Sequence, residues 1–422
     1  SNQQLANEYS FPDPEKPNNT VKVRGNPNLA NVRTIMIGVR NSSRDEKTTE
    51  VWFNELRLTD FNERGGWAAN SRMNIKLADL GSVSVAGRAS TVGFGSIDQS
   101  VNERSQENFY QYDVATNLEL GKFLGPDSRL SIPFYAGISE QVATPEYNPL
   151  DPDVPLDMAL DHAANKAERD SIKQTAQDYV KRKSFNFTNV RLQPRDEQQP
   201  FYSPTNLSAT YSYNETYRRN NETEYLTDKN YRGILGYNYL HRPQPIEPFK
   251  ALQGEAFKLL RDFNFYLAPT QVGYRWEVMR GYREEQLRNL SNPEFAIPVY
   301  VDKNFYWNRH FDLTYNLTRS LKFDFRSTNN AVIDEPEGPV SKNRYRDEYE
   351  QWKDSVMDKL LSMGRTTNYQ HNVNISYNLP INKLPYMDWT SATLNYGALY
   401  NWQQGPVTRL DYDWGNVIRN SN

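Results

Sequence analysis

From Trp67 onward, apolar and polar residues alternate along much of the chain with a period of two, the signature of strands that present one face to an apolar medium and the other to water. Phe311, Leu313, Tyr315 and Leu317 alternate with Asp312, Thr314, Asn316 and Thr318, and Val373, Ile375, Tyr377 and Leu379 with Asn372, Asn374, Ser376 and Asn378. Leu207, Ala209, Tyr211 and Tyr213 alternate with Ser208, Thr210, Ser212 and Asn214. Leu321, Phe323 and Phe325 alternate with Lys322, Asp324 and Arg326, just past a turn at Thr318-Arg319-Ser320. Ala392, Leu394, Tyr396, Ala398, Tyr400 and Trp402 form one side of another long strand. With less regular candidates around Ile75, Val85, Val114, Ile132, Phe187, Leu235, Phe265 and Tyr274, the pattern predicts about a dozen strands. Several would reach about ten residues, the length a tilted strand needs to cross a bilayer.

Three stretches break the alternation and predict helical excursions, near 155–183, 248–260 and 341–363. In the third, Tyr345, Tyr349, Trp352, Val356 and Leu360 fall three or four apart, an amphipathic stripe that Gly364 would end. Residues 1–19, with Pro12, Pro14 and Pro17, read as an irregular linker. Residues 20–64 read as the end of a small, jelly-roll-like β-sandwich, because Val32–Arg40 and Glu50–Leu58 are too evenly apolar for strands with one wet face. Gly65-Gly66 marks a boundary, after which residues 65–422 form the alternating sheet. The chain starts at Ser1 without a methionine or signal peptide and ends without a strand pattern, which predicts a piece of a longer protein.

Composition narrows the medium. The 422 residues are only 37% hydrophobic, yet they include 28 Tyr, 19 Phe and 8 Trp. Disordered chains lack such aromatics and carry a larger charge excess than the -3 found here. The near balance of 49 Lys and Arg against 52 Asp and Glu argues against a nucleic-acid partner, and zero Cys removes disulfides and thiolate chemistry. No 18-residue apolar run exists, so no transmembrane helix is expected. Two architectures share the dyad pattern: a soluble antiparallel sandwich with apolar residues inward, and a membrane barrel with them outward. Trp276, Trp307, Trp389, Tyr400, Trp402 and Trp414 gather toward expected strand ends, as aromatic girdles do at a membrane interface.

Catalytic chemistry is not visible. His162, His241, His310 and His371 have no metal-binding spacing, and Gly93-Phe94-Gly95 lacks the third glycine of a dinucleotide fingerprint. Asp151-Pro152-Asp153 and Asp411-Tyr412-Asp413 lack a calcium-loop pattern. No catalytic, cofactor-binding or metal-ligating residue is assigned, no cofactor is expected, and the chain does not read as an enzyme.

Three stretches carry a resemblance. Asn31–Asn41, followed by Val51–Leu58 and Gly65-Gly66-Trp67-Ala68-Ala69, resembles the SprA/Sov family, the large outer-membrane translocon of the type 9 secretion system in Bacteroidota. Arg261–Phe265 running into Gln271–Gln286, and the strand pair around Asn372–Pro380 and Ala392–Trp402, are similar to further stretches of that family. The resemblance implies an all-β chain, a segment of a very large antiparallel transmembrane β-barrel in the outer membrane that passes folded cargo with C-terminal sorting domains to the cell surface. It also implies the lipid bilayer, the cargo, a PorV-type partner barrel and a periplasmic plug protein as partners. In such a wall Leu313, Tyr315, Leu317, Phe323, Ile375, Tyr377, Leu394 and Tyr396 would face lipid, and Asp312, Asn316, Asp324, Asn374 and Asn395 the lumen. The competing readings are a TonB-dependent-type nutrient transporter and a soluble surface glycan-binding β protein.

Overall fold

The computed structural model describes residues 8–14, 16–24, 34–55, 65–99, 103–125, 127–195, 199–254, 257–292, 295–340, 346–384, 386–405 and, for the backbone, 416–421. Its first element corrects the expected linker. β1 (Glu8–Pro12) and β2 (Thr20–Arg24) pair antiparallel from Glu8 opposite Arg24 to Pro12 opposite Thr20. Tyr9 and Phe11 alternate with Ser10, and the Asp13 amide donates to the Asn19 carbonyl at 3.0 Å to close the connection. Residues 34–40 and 50–55, expected as strands, form neither strand nor helix, and Ile35, Ile37, Trp52 and Phe53 are exposed. A strand needs a ladder partner, and none reaches these segments among the described residues. Residues 32–33 and 56–58 of that expected pair lie outside the described residues, as do Tyr345, Asp411 to Asp413 and Trp414.

The rest is one large antiparallel sheet. Its strands are β3 (Ala68–Lys76), β4 (Gly81–Ser90), β5 (Glu107–Glu119), β6 (Leu130–Ser131) and β7 (Pro133–Pro145). After a small separate pair, β8 (Tyr147–Asn148) and β9 (Asp151–Pro155), come β10 (Asp178–Leu192), β11 (Leu207–Arg219), β12 (Thr223–Leu240) and β13 (Gln271–Leu287). The last are β14 (Tyr300–Asn316), β15 (Leu321–Val332), β16 (Arg365–Leu379), β17 (Ala392–Gln403) and β18 (Asn416–Ser421). Pairing follows chain order from β3 to β18, except that β7 joins β5 directly to β10 while the two-residue β6 pairs with the end of β10. The 14-stranded sheet is open, with β3 and β18 at its edges.

The excursions are shorter than the sequence suggests. α1 (Leu156–Asp161) and α2 (Lys166–Ala176) end before 178–183, which already belong to β10. Asn165 caps α2 by accepting the Glu168 amide at 2.9 Å, and the Glu168 carboxylate takes the Ala164 amide in return. Among its described residues the 248–260 stretch holds only turns and the start of α3 (Lys258–Arg261), and Phe265 contributes one isolated bridge to Ile246 rather than a strand. α4 (Arg346–Leu361) ends as expected: the Gly364 amide reaches back to the Lys359 carbonyl at 2.9 Å with φ +69°, a backbone conformation suited to glycine. The strands alternate in direction, so α1, α2 and α4 gather at one end of the sheet, the α4 end. α3 and the connections 193–206, 317–320 and 380–391 lie at the other, the α3 end.

Candidate functional site

Residues directly opposite one another in an antiparallel ladder share a face, so the register carries each face from strand to strand. Tyr315, Phe323, Ile375 and Tyr396 stand opposite one another in turn across β14 to β17, and Leu321, Tyr377 and Leu394 do so one step further along. Leu313 stands opposite Phe325 on this apolar face, and Leu317 lies one residue beyond β14. Asp312, Asn316, Asp324, Asn374 and Asn395 fall on the opposite, polar face. The division continues to the far edge of the sheet. The apolar side carries Val272 and Trp276 on β13, Leu235 on β12, Phe185 and Phe187 on β10, Ile138 on β7, Val114 on β5 and Met73 on β3. The polar side carries Asn70, Ser84, Gln111, Ser139, Asn186, Ser212 and Arg275.

Among the described residues nothing packs over most of the apolar face. Rings run across it from Tyr274 to Phe311, Phe325, His371 and Tyr400, with successive centroids 6.3, 5.9, 5.8 and 5.0 Å apart. These contacts lie within the sheet's own layer, and Leu394 stays 60% exposed. Among the described residues the packed apolar cluster is Phe305, Ile333 and Val356, at the α4 end, with Val278, Trp307, Trp352 and Leu360 against it. A strip of about ten residues by nine strands, at about 3.4 Å per residue and 4.8 Å per strand, is on the order of 1,000 Å² of bare surface, well above what a soluble monomer usually exposes.

The bare surface has a defined edge. Toward the α4 end, the first charged or imidazole side chain on the apolar face is His371 on β16, Arg309 on β14, Arg280 on β13 and Lys229 on β12. It is Glu215 on β11, Lys183 on β10 and Glu140 on β7. The row of His371 runs through Ser327, Phe311, Tyr274 and Tyr237 to Leu207, whereas the row of Glu140 runs through Lys181 to Tyr217. The edge therefore climbs by about ten residues over about seven strand steps, which at standard strand spacings is a slope of about 45°, close to the tilt of strands in a barrel. The α3-end limits climb in the same sense, from Leu379 on β16 to Leu118 on β5, so the apolar strip keeps its height as it crosses the sheet.

Beyond the edge, the same face becomes polar and self-paired. Lys183 meets Glu215 at 3.2 Å and Lys181 meets Glu140 at 3.1 Å, while the Tyr112 hydroxyl donates to Glu140 at 2.6 Å. Arg309 lies over the Trp307 ring, 5.5 Å from its centroid, and donates to Asn329 at 3.2 Å. Trp276 and Trp307 thus mark the edge of the strip although they sit mid-strand, because β13 and β14 overhang it. α4 covers that overhang. Arg280 donates through Nε and Nη2 to the two oxygens of Glu335, both at 2.8 Å, with Trp352 stacked over its guanidinium at 4.6 Å. Asp334 and Arg365 tie the feet of the α4 excursion together at 2.8 and 3.0 Å, and this guanidinium holds the Asp334 carboxyl below the usual carboxylate range. The sequence stripe located α4, but no local signal pointed to Arg280 as its partner.

On the polar face charges of both signs pair with one another. Glu277 receives Arg232 and Arg275, Asp324 faces Lys322 at 3.3 Å and Asp312 faces Arg326 at 3.7 Å. Among the described residues no three His, Cys, Asp or Glu side chains come together to hold a metal ion. No helix among them is long and apolar enough to cross a membrane.

The molecule is thus a mostly antiparallel β protein, with no second layer over its main apolar face among the described residues. Residues 1–160 match the SprA_N family model, described as a motility related/secretion protein. Over these residues the chain is similar to this family of motility and secretion proteins. The match covers β1 to β9 and most of α1, so the strip on β10 to β17 lies beyond it. No curated protein matches the chain.

Proposed function

We propose that the sheet is part of the wall of a transmembrane β-barrel in the outer membrane, with its apolar strip against lipid and its polar face lining a hydrated lumen. In this reading the chain contributes to the protein-conducting channel of the type 9 secretion system. The observation that carries the proposal is the uncovered strip of constant height, inclined as barrel strands are. A lumen wall of Asn, Ser, Thr and self-paired charges offers a folded passenger no large apolar surface to adhere to, so passage needs a hydrated path and no catalytic group. Unpaired strand edges are not tolerated in lipid, so further strands must continue the wall at β3 and β18. These two edges run in the same direction, and an odd number of strands between them keeps the ring antiparallel. The cargo, the PorV-type barrel and the plug protein enter the proposal through the family resemblance.

Adjacent residues on β16 test the assignment. Ile375→Arg places a cation in the lipid-facing strip and is expected to cost about 2–4 kcal/mol in denaturant unfolding of the membrane-assembled protein, whereas Asn374→Arg, opposite Asp324, is expected to be nearly neutral. Equal tolerance at both positions would reject the membrane wall and favour the soluble β protein.

A further inference from the structure

At the α3 end one connection does not return directly from strand to strand. The described residues 246–254 and 257–267 fold back on the sheet, held by the Ile246 and Phe265 bridge, by Glu247 with Arg319 at 2.6 Å, and by Asp262 with Lys383 at 3.2 Å. Buried Asn264 accepts the Arg319 amide at 2.8 Å and donates to the Asp262 carbonyl. The Tyr315 hydroxyl, which belongs to the apolar face, donates to the Tyr266 carbonyl at 2.8 Å. That bond sets the segment on the apolar side of the sheet, continuous with the strip. Yet Phe249, Leu260, Phe263 and Leu267 remain exposed, Leu267 to 75%. Lys250, Lys258 and Arg261 are interleaved with them; Lys250 pairs with Glu247 at 3.0 Å and Arg261 with Asp262 at 3.5 Å, while Lys258 makes no ion pair among the described residues.

We propose that the described residues 246–254 and 257–267 form a flange that lies in the headgroup layer of the bilayer, its apolar side chains entering the lipid boundary and Lys258 meeting the phosphates of anionic lipids. The inference rests on the lipid-facing reading of the strip. Three features favour lipid over a protein partner: the segment continues a surface already assigned to lipid, it mixes exposed apolar groups with cations as interfacial segments do, and its backbone is pinned to the strands. Bound so, the flange fixes the depth of β12 to β15 in the membrane.

These 422 residues contain no cysteine, so a cysteine introduced here is the one label site within them. The intact protein carrying Leu260→Cys or Ile375→Cys, each labelled with an environment-sensitive fluorophore, is reconstituted into phosphatidylcholine vesicles with and without phosphatidylglycerol and probed with spin-labelled lipids. The Leu260 label is expected to shift to the blue and to be quenched more strongly by a headgroup-level nitroxide than by a mid-chain one, with the reverse order at Ile375. Phosphatidylglycerol should deepen the quenching at Leu260, and Lys258→Gln should remove part of that gain. A water-exposed Leu260 label beside a quenched Ile375 label overturns the flange and leaves the wall intact. Failure at both sites overturns the wall itself. A phosphatidylglycerol response untouched by Lys258→Gln overturns the role given to the cation.

Discussion

The apolar face occurs in two settings within one sheet. Across most of β14 to β17 it is bare among the described residues, whereas at the α4 end of β13 to β15 the same face is covered by a helix that buries Phe305, Ile333 and Val356. The side chains are alike; in the proposed wall, what differs is the medium. On that proposal lipid covers the rings inside the strip, while beyond the charged edge the strands stand in water and their apolar residues need a protein lid. α4 supplies that lid, and Arg280, the first charge past the edge on β13, anchors it.

The comparison can be broken most severely at that anchor. Glu335 keeps only 3% of its side chain exposed and Arg280 15%, so removing one partner strands a buried charge. Arg280→Ala is expected to cost about 3–5 kcal/mol in denaturant unfolding and to expose α4 to protease, while Arg280→Lys recovers the charge but not the two-pronged geometry. Retained stability with protected α4 would show that the lid is not held there.

A smaller effect sharpens the same contrast. Asp334 and Arg365 are each partly exposed, so Asp334→Asn is expected to cost under about 1 kcal/mol. Because Arg365 lowers the folded-state pKa of Asp334, the pair's contribution is complete above the ordinary aspartate value of about 3.9 and fades as pH falls through the lower folded value. Acidification below pH of about 4 should therefore narrow the stability gap between the native protein and Asp334→Asn. A gap that widens on acidification would contradict the direction.

How much of this was legible in the sequence follows from the two settings. Where the face is bare, each strand must alternate cleanly, and the pairs 312–317, 321–325, 372–379 and 392–402 announced both the strands and their faces. Past the edge, alternation no longer separates apolar from polar, since both faces carry charged side chains. Lys181 and Lys183 made 178–183 look like helix, and only the cross-strand carboxylates Glu140 and Glu215 account for them on β10. The 248–260 stretch has the composition of a helix, but contacts with Arg319 and Lys383, far along the chain, hold it as turns around four helical residues. The slope of the strip is a property of register, which no single strand displays.

The central claim is that the apolar strip meets lipid. Single cysteines placed in turn from Asn372 to Tyr377 on β16, labelled and quenched by a lipid-borne nitroxide in vesicles, test it most directly. The account predicts strong quenching at Val373, Ile375 and Tyr377 and weak quenching at Asn372, Asn374 and Ser376. Uniform weak quenching, or alternation in the opposite phase, would contradict it.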